Sequence, residues 1–192
     1  ISQADFMAAA AGTEAGRTRT GLGVFTPGTP LANDEGLEAI TAPRDLERSR
    51  RELREAGYAG ERVTLLAPAD QPILAALAEV QRDLFGKLGM PVEYVVSDWG
   101  TLVQRRARRE PPAQGGWSMF HTTWVGMEGI NPGVMPFLRG NGAQGWFGWA
   151  DIPALEEART ARFDATDLQA QQPAARRIQR VMLEEAPYMP TG

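Results

Sequence analysis

A single histidine, His121, is the one side chain in this sequence that ordinarily changes charge near neutral pH. In the run SMFHTTW it alternates with Met119 and Thr123, while Ser118 falls on the opposite face of the same strand. Nucleophilic catalysis needs the base within hydrogen-bond reach of the hydroxyl, so this pair makes no triad. The carboxylate pairs Glu156–Glu157 and Glu184–Glu185 are sequence neighbours on helical patterns. Neighbours diverge around a helix, so neither pair forms a general acid/base couple. One His without several carboxylates nearby cannot assemble a metal site, and zero cysteines exclude thiolate chemistry and Cys-based zinc. The expectation is a protein that is not an enzyme and carries no cofactor.

Binding chemistry is better represented. Trp124 ends a strand-like run and leads into a loop containing Gly126, Met127 and Glu128. Further on, GWFGW places Trp146, Phe147 and Trp149 within four positions. Aromatic walls give large contact area at low conformational cost, and three such rings are more than a small core readily absorbs. Arg139 opens the same stretch and could pair with an anionic group. His121 completes the candidate ligand-side set, although a buried, hydrogen-bonded histidine is the simpler expectation for it.

Two motifs suggest other classes. GNGAQG at 140–145 formally matches a dinucleotide fingerprint, but that mechanism needs a strand before it and a helix immediately after. Here NPGVMPFLR precedes and WFGW follows, so a flexible loop is expected. A small nucleotide-binding α/β domain or enzyme using this loop or His121 stays open as an alternative, as does a protein-interaction module that docks through its aromatics. RRARRE at 105–110 looks like a solvated face of a short helix. With a net charge of −4, nucleic acid is not an expected partner.

The elements that would position these residues follow from periodicity. With 192 residues, 43% of them apolar, the chain can build one substantial α/β lobe. Ser2 starts a short helix that Gly12 stops. Residues 17–36, with Pro27, Pro30 and four glycines, form an irregular arm. A charged helix from Pro43 to Gly57 precedes a β-rich run at 61–67. After Asp70 comes the longest helix, with apolar residues at 73, 74, 77, 80, 84 and 88. Met90–Val96 is the next strand, and strand–helix–strand predicts a right-handed parallel unit. A helix over 98–109, a third strand over Trp117–Trp124 and an irregular region over 125–150 follow. Asn131-Pro132 suggests the start of a short helical turn. Helices at 151–163 and 167–185 close the chain, and no stretch approaches the roughly 20 apolar residues of a membrane helix.

The succession GYAGERVTLLAP, KLGMPVEYVVSDWGTLVQRR, GGWSMFHTTWVG and IQRVMLEEAPYMP resembles the carboxyl-terminal lobe of the peptide/nickel class of ABC-transporter solute-binding proteins. The resemblance implies an α/β fold of periplasmic-binding-protein-like type II, a mixed sheet flanked by helices, with 1–192 as a single lobe of a two-lobe protein. Residues 17–36 are its arm and 125–150 its ligand-side loop region. The first residue is Ile, no signal peptide is recognisable, and a piece of a longer protein is expected. The implied function is the extracytoplasmic solute-binding component of an ABC importer, periplasmic or lipid-anchored. It would bind a peptide-like or other small solute between two lobes, as a monomer, and engage a membrane permease. Peptide-binding relatives carry an Asp in the loop after the Trp strand that pairs with the ligand's amino terminus. Trp124 matches that Trp, and Met127 falls where the Asp would be. Methionine cannot pair with an ammonium group, and Glu128 would replace the Asp only if the loop shifted by one residue. The resemblance therefore leaves the ligand open among peptides, nickel complexes, sugars, opines and glutathione-like compounds.

Overall fold

The computed structural model describes residues 1–14 and 16–192. They divide into two compact units, one comprising Ser2–Thr18 and Pro43–Thr123, the other Ile1, Arg19–Ala42 and Trp124–Gly192.

The first unit is built on a three-stranded sheet of order β2-β1-β3. Its central strand, β1 (Val63–Pro68), is a nearly unbroken apolar run, and Leu65 and Leu66 are fully buried. That pattern suits a strand covered on both faces. Helix α4 (Pro72–Leu88) carries the chain from β1 to β2 (Val92–Ser97), and the two strands pair in parallel from Val63↔Val92 to Pro68↔Ser97. Helix α4 buries Leu74, Leu77 and Leu84 of the expected stripe together with Ala78 and Gln81, while Val80 and Leu88 are half-buried and Ile73 is 50% exposed. Gly89 in the left-handed region ends it, with the Met90 amide donating to the Phe85 carbonyl at 2.9 Å. Asp70 does not cap this helix; its Oδ1 accepts from the Trp99 amide at 2.8 Å and ties down the start of α5 (Trp99–Arg105). Helices α1 (Gln3–Ala11) and α3 (Leu46–Glu55) complete the unit, capped by Ser2 and Asp45. The fold class is α/β as expected, with its three strands parallel; among the described residues antiparallel pairing is confined to the bridge Asn141–Asp151 in the other unit.

Strand β3 is only Met119–Phe120, not the expected Trp117–Trp124. It pairs with β1 through Leu65↔Met119 and Leu66↔Phe120, which puts Thr122 level with Pro68. Strand β1 ends there on a residue with no amide donor, so Thr123 and Trp124 have no ladder to join. The 105–110 arginines also depart from a purely solvated face. Arg105 donates to the Gly116 carbonyl at 3.0 Å, and the Arg106 guanidinium lies over the Trp99 ring at 5.5 Å.

His121 is 5% exposed, its ring against Phe6 at 5.7 Å. The burial expected for it is present, but its Nε2 is buried with no hydrogen-bond partner among the described residues. Desolvation pushes its pKa down to about 4.

The second unit is helical and irregular. Helices α6 (Pro153–Asp164) and α7 (Leu168–Glu185) pack together, and Leu155, Ile178 and Met182 meet Leu138 in the core. The arm is part of this core: Val24, Phe25 and Leu31 are buried in it, and a short helix α2 (Glu38–Thr41) follows. One polar side chain holds the arm in place. Gln179, 1% exposed on α7, accepts from the Val24 amide through Oε1 at 3.3 Å. Its Nε2 donates to the Asn33 carbonyl at 2.8 Å and the Glu35 carbonyl at 2.9 Å. Gly23 passes so close to this carboxamide that a Cβ there would force Gln179 out of its bonds to the arm.

Two expected outcomes follow from these buried groups. Gln179→Leu leaves the Val24 amide and two arm carbonyls unpartnered and should lower stability by about 2–4 kcal/mol in urea unfolding, with amide exchange at Val24 accelerated. His121 acts through linkage: its folded pKa lies below the unfolded value of 6.5, so the unfolded state takes the proton first as pH falls. Stability is therefore complete above pH 6.5 and lost down to about pH 4. Between pH 7 and 5 the chain should lose about 2 kcal/mol more than a His121→Gln variant does.

Candidate functional site

The irregular region after Trp124 is given its shape by the arm. The Thr26 amide donates to the Gly129 carbonyl at 3.1 Å, and Thr26 Oγ1 donates to the Gly126 carbonyl. Gly129 is buried against Thr26 with no space for a side chain. The loop then makes a 3₁₀ turn over Glu128–Ile130 and another over Pro136–Leu138. Between them Asn131 Oδ1 accepts from the Gly133 amide at 2.9 Å, an Asx turn in place of the expected helix start.

An aromatic cluster forms on this support. The Trp124 ring lies 4.8 Å from Phe137 and 5.7 Å from Trp146, and Phe137 lies 4.4 Å from Tyr188. Trp146 also meets Phe147 at 5.3 Å. Offset and edge-on pairs of this kind add roughly 0.5–1.5 kcal/mol each beyond their buried area. Trp124, Phe137 and Tyr188 line a cavity of about 230 Å³ together with arm residues Val24, Phe25 and Thr26. The Trp124 indole N–H is buried with no acceptor among the described residues. Burial raises the Tyr188 phenol pKa, so it stays neutral across physiological pH.

The candidate residues read from the sequence divide into three groups. Trp124 and Trp146 stand in the cluster, and Gly126 lines its cavity. Trp149 is half-buried in a tight turn, its amide donating to the Trp146 carbonyl at 2.8 Å at a φ of +48° that a bulky residue adopts only under strain. Met127 is 79% exposed at the loop surface. Glu128 turns inward on its own loop, Oε2 accepting from the Val125 amide at 3.2 Å. His121 belongs to the core of the sheet unit, so it is no part of this cluster. Sequence reasoning missed Phe137, Tyr188 and Thr26. The aromatic residues at MPFLR and PYMP were visible in the chain, but nothing local linked them to Trp124.

Arg139 is not a free surface cation. Its Nε donates to Glu156 Oε1 at 3.0 Å and Oε2 at 3.2 Å, and the Gly140 amide donates to the same Oε1 at 2.7 Å. Burial alone would raise the Glu156 carboxyl pKa; the bonds from Arg139 and Gly140, with the charges of Arg139 and Arg159, hold it below the usual range. The GNGAQG stretch forms a 3₁₀ turn over Gly142–Gln144, and the next helix begins only at Pro153. No helix N-terminus therefore stands where a dinucleotide phosphate would need it. Among the described residues no group of three or more His, Cys, Asp or Glu side chains could hold a metal ion, and no helix is long and apolar enough to cross a membrane.

No family model matches the sequence. The chain is 30% identical over 162 residues to a probable peptide ABC transporter periplasmic-binding protein, y4tO, of Sinorhizobium fredii. That alignment takes in 84% of this chain and 30% of the relative, so the chain spans under a third of that protein's length. Among solved structures, AppA of Clostridium difficile, assigned to peptide binding, matches with a TM-score of 0.79 at 12% identity, over 97% of this chain and 37% of that one. The ABC transporter substrate binding protein CtaP of Listeria monocytogenes matches with a TM-score of 0.68 at 13% identity, over 97% of this chain and 36% of that one. At those identities the structures establish the type II periplasmic-binding-protein fold, while the sequence relation is carried by the Sinorhizobium protein. The chain is thus similar in sequence to part of one peptide ABC transporter periplasmic-binding protein, and in fold to parts of a peptide binding protein and an ABC transporter substrate binding protein.

Proposed function

We propose that the chain forms most of one lobe of an extracytoplasmic solute-binding protein that delivers its ligand to the permease of an ABC importer. The sequence relation to a peptide-transporter binding protein over 84% of the chain carries this reading. In the proposed scheme, the aromatic cluster around Trp124 supplies one wall of the ligand site, and a second lobe supplies the other. Closure excludes water and is stabilised by whatever affinity the ligand has for the closed form over the open one.

The chemistry of the wall supports this use. Val125, Met127, Ile130 and Val134 are all exposed apolar residues on the loop that Thr26 pins, a concentration suited to contact with a ligand or an opposing lobe. The buried Trp124 N–H would be satisfied by a carbonyl of a peptide-like solute. Met127 carries no charge, and the Glu128 carboxylate accepts from the Val125 amide through Oε2, so Glu128 is the one group at the 127–128 position that could meet a ligand ammonium. A peptide-like solute would meet the rest of the wall through aromatic, apolar and hydrogen-bonding contacts.

The test uses the two-lobe protein, screened by thermal shift against short peptides, opines, sugars and metal chelates, with small-angle scattering on any hit. A ligand at a hundred times its Kd should stabilise the protein by about 2.7 kcal/mol and reduce its radius of gyration. The same ligand should bind the 192-residue chain alone at least about a hundredfold more weakly, because half the contacts are missing. Micromolar binding to the chain alone, or stabilisation without compaction, would overturn the two-lobe scheme.

A further inference from the structure

A second cavity, of about 350 Å³, lies between residues 133–136 and 144–146, with Arg139 and Trp146 in its lining. Its size falls within the range of small-molecule sites. Both bonds from Arg139 to Glu156 run through Nε, and Nη1 and Nη2 have no partner among the described residues. The guanidinium is thus oriented from behind by a carboxylate, while its outer edge keeps the parallel donors that match a planar anion.

The charge balance at the cavity points the same way. Arg159, 5% exposed, stands with its Nε 3.8 Å from the same Glu156 Oε1 and donates through Nη1 to the Pro132 carbonyl. Two guanidinium groups therefore share one carboxylate, leaving one positive charge uncompensated within the cluster. Glu156 already accepts from Arg139 Nε and the Gly140 amide, so it has little capacity left for the Arg139 outer edge. Gln144 adds an exposed carboxamide at the rim, and Trp146 a large apolar face.

We propose that this cavity binds the carboxylate of a small organic acid, Arg139 gripping the anion through Nη1 and Nη2 while Trp146 covers the adjoining apolar group. The proposal rests on the solute-binding reading and sharpens it: the ligand would present an acid to this lobe in addition to the groups that meet Trp124. Glu156 acts here as a positioning residue, fixing the plane of the guanidinium.

The test is ¹H–¹⁵N NMR on the chain, following the Arg139 Nε–H and Trp146 indole N–H signals during titration with N-acetyl-phenylalanine, its neutral amide and phenyl phosphate. The acid should shift both signals saturably, and the amide should bind at least about tenfold more weakly. Arg139→Gln should weaken the acid by about tenfold or more with the remaining spectrum unchanged, and Arg139→Lys should fall between, keeping charge without the fork. Equal binding of acid and amide, no shift with any probe, or a response to phenyl phosphate alone would overturn the proposal. The acid and amide arms use the unmodified chain, so they decide the matter even if a variant unfolds. A positive result here with no compaction of the two-lobe protein would keep the acid subsite and reject the importer reading.

Discussion

The helical unit depends on the carboxamide of Gln179. A buried amide that lost its partners would cost about 1–3 kcal/mol for each orphaned group, so a neutral side chain at this depth is tolerated only because the arm surrounds it. The arm in turn has no regular structure of its own to satisfy its backbone. Val24, Asn33 and Glu35 find in Gln179 the donors and acceptors that a strand neighbour would otherwise provide. Side chain and arm are mutually required, and the apolar insertion of Val24, Phe25 and Leu31 is correct only when that polar register is correct.

From this anchor the order of support runs outward. The arm fixes Thr26, Thr26 fixes the carbonyls of Gly126 and Gly129, and that loop follows Trp124. The aromatic cluster therefore rests on an irregular scaffold tied to the arm through Thr26. Loops positioned in this way are where binding surfaces are commonly found. The sheet unit contributes a second, independent core around β1 and α4, with the neutral His121 packed into it.

The regular elements were legible in the sequence because their signals are local. The apolar residues of α4, its Gly89 stop and the Ser2 start of α1 lie within a few residues of what they control. The length of β3 was not legible, because it is decided by Pro68 on a different strand. The site was visible only in part. Trp124 and Trp146 announced themselves by type, yet Phe137 and Tyr188 join them across long loops. That Arg139 is already held by a carboxylate was not legible, since its partner Glu156 lies 17 residues on, across an irregular stretch. Gln179 had no distinguishing mark at all, one polar residue in a helix rich in them.

The Val24–Gln179 bond joins residues 155 positions apart. At a synthesis rate of roughly 5–20 residues per second, the arm leaves the ribosome on the order of ten to thirty seconds before the helix that receives it. Until then Val24, Phe25 and Leu31 have no core to enter, and the Trp124 loop lacks its clasp. The surface around Trp124 therefore cannot take its shape until the segment that carries Gln179 has been made.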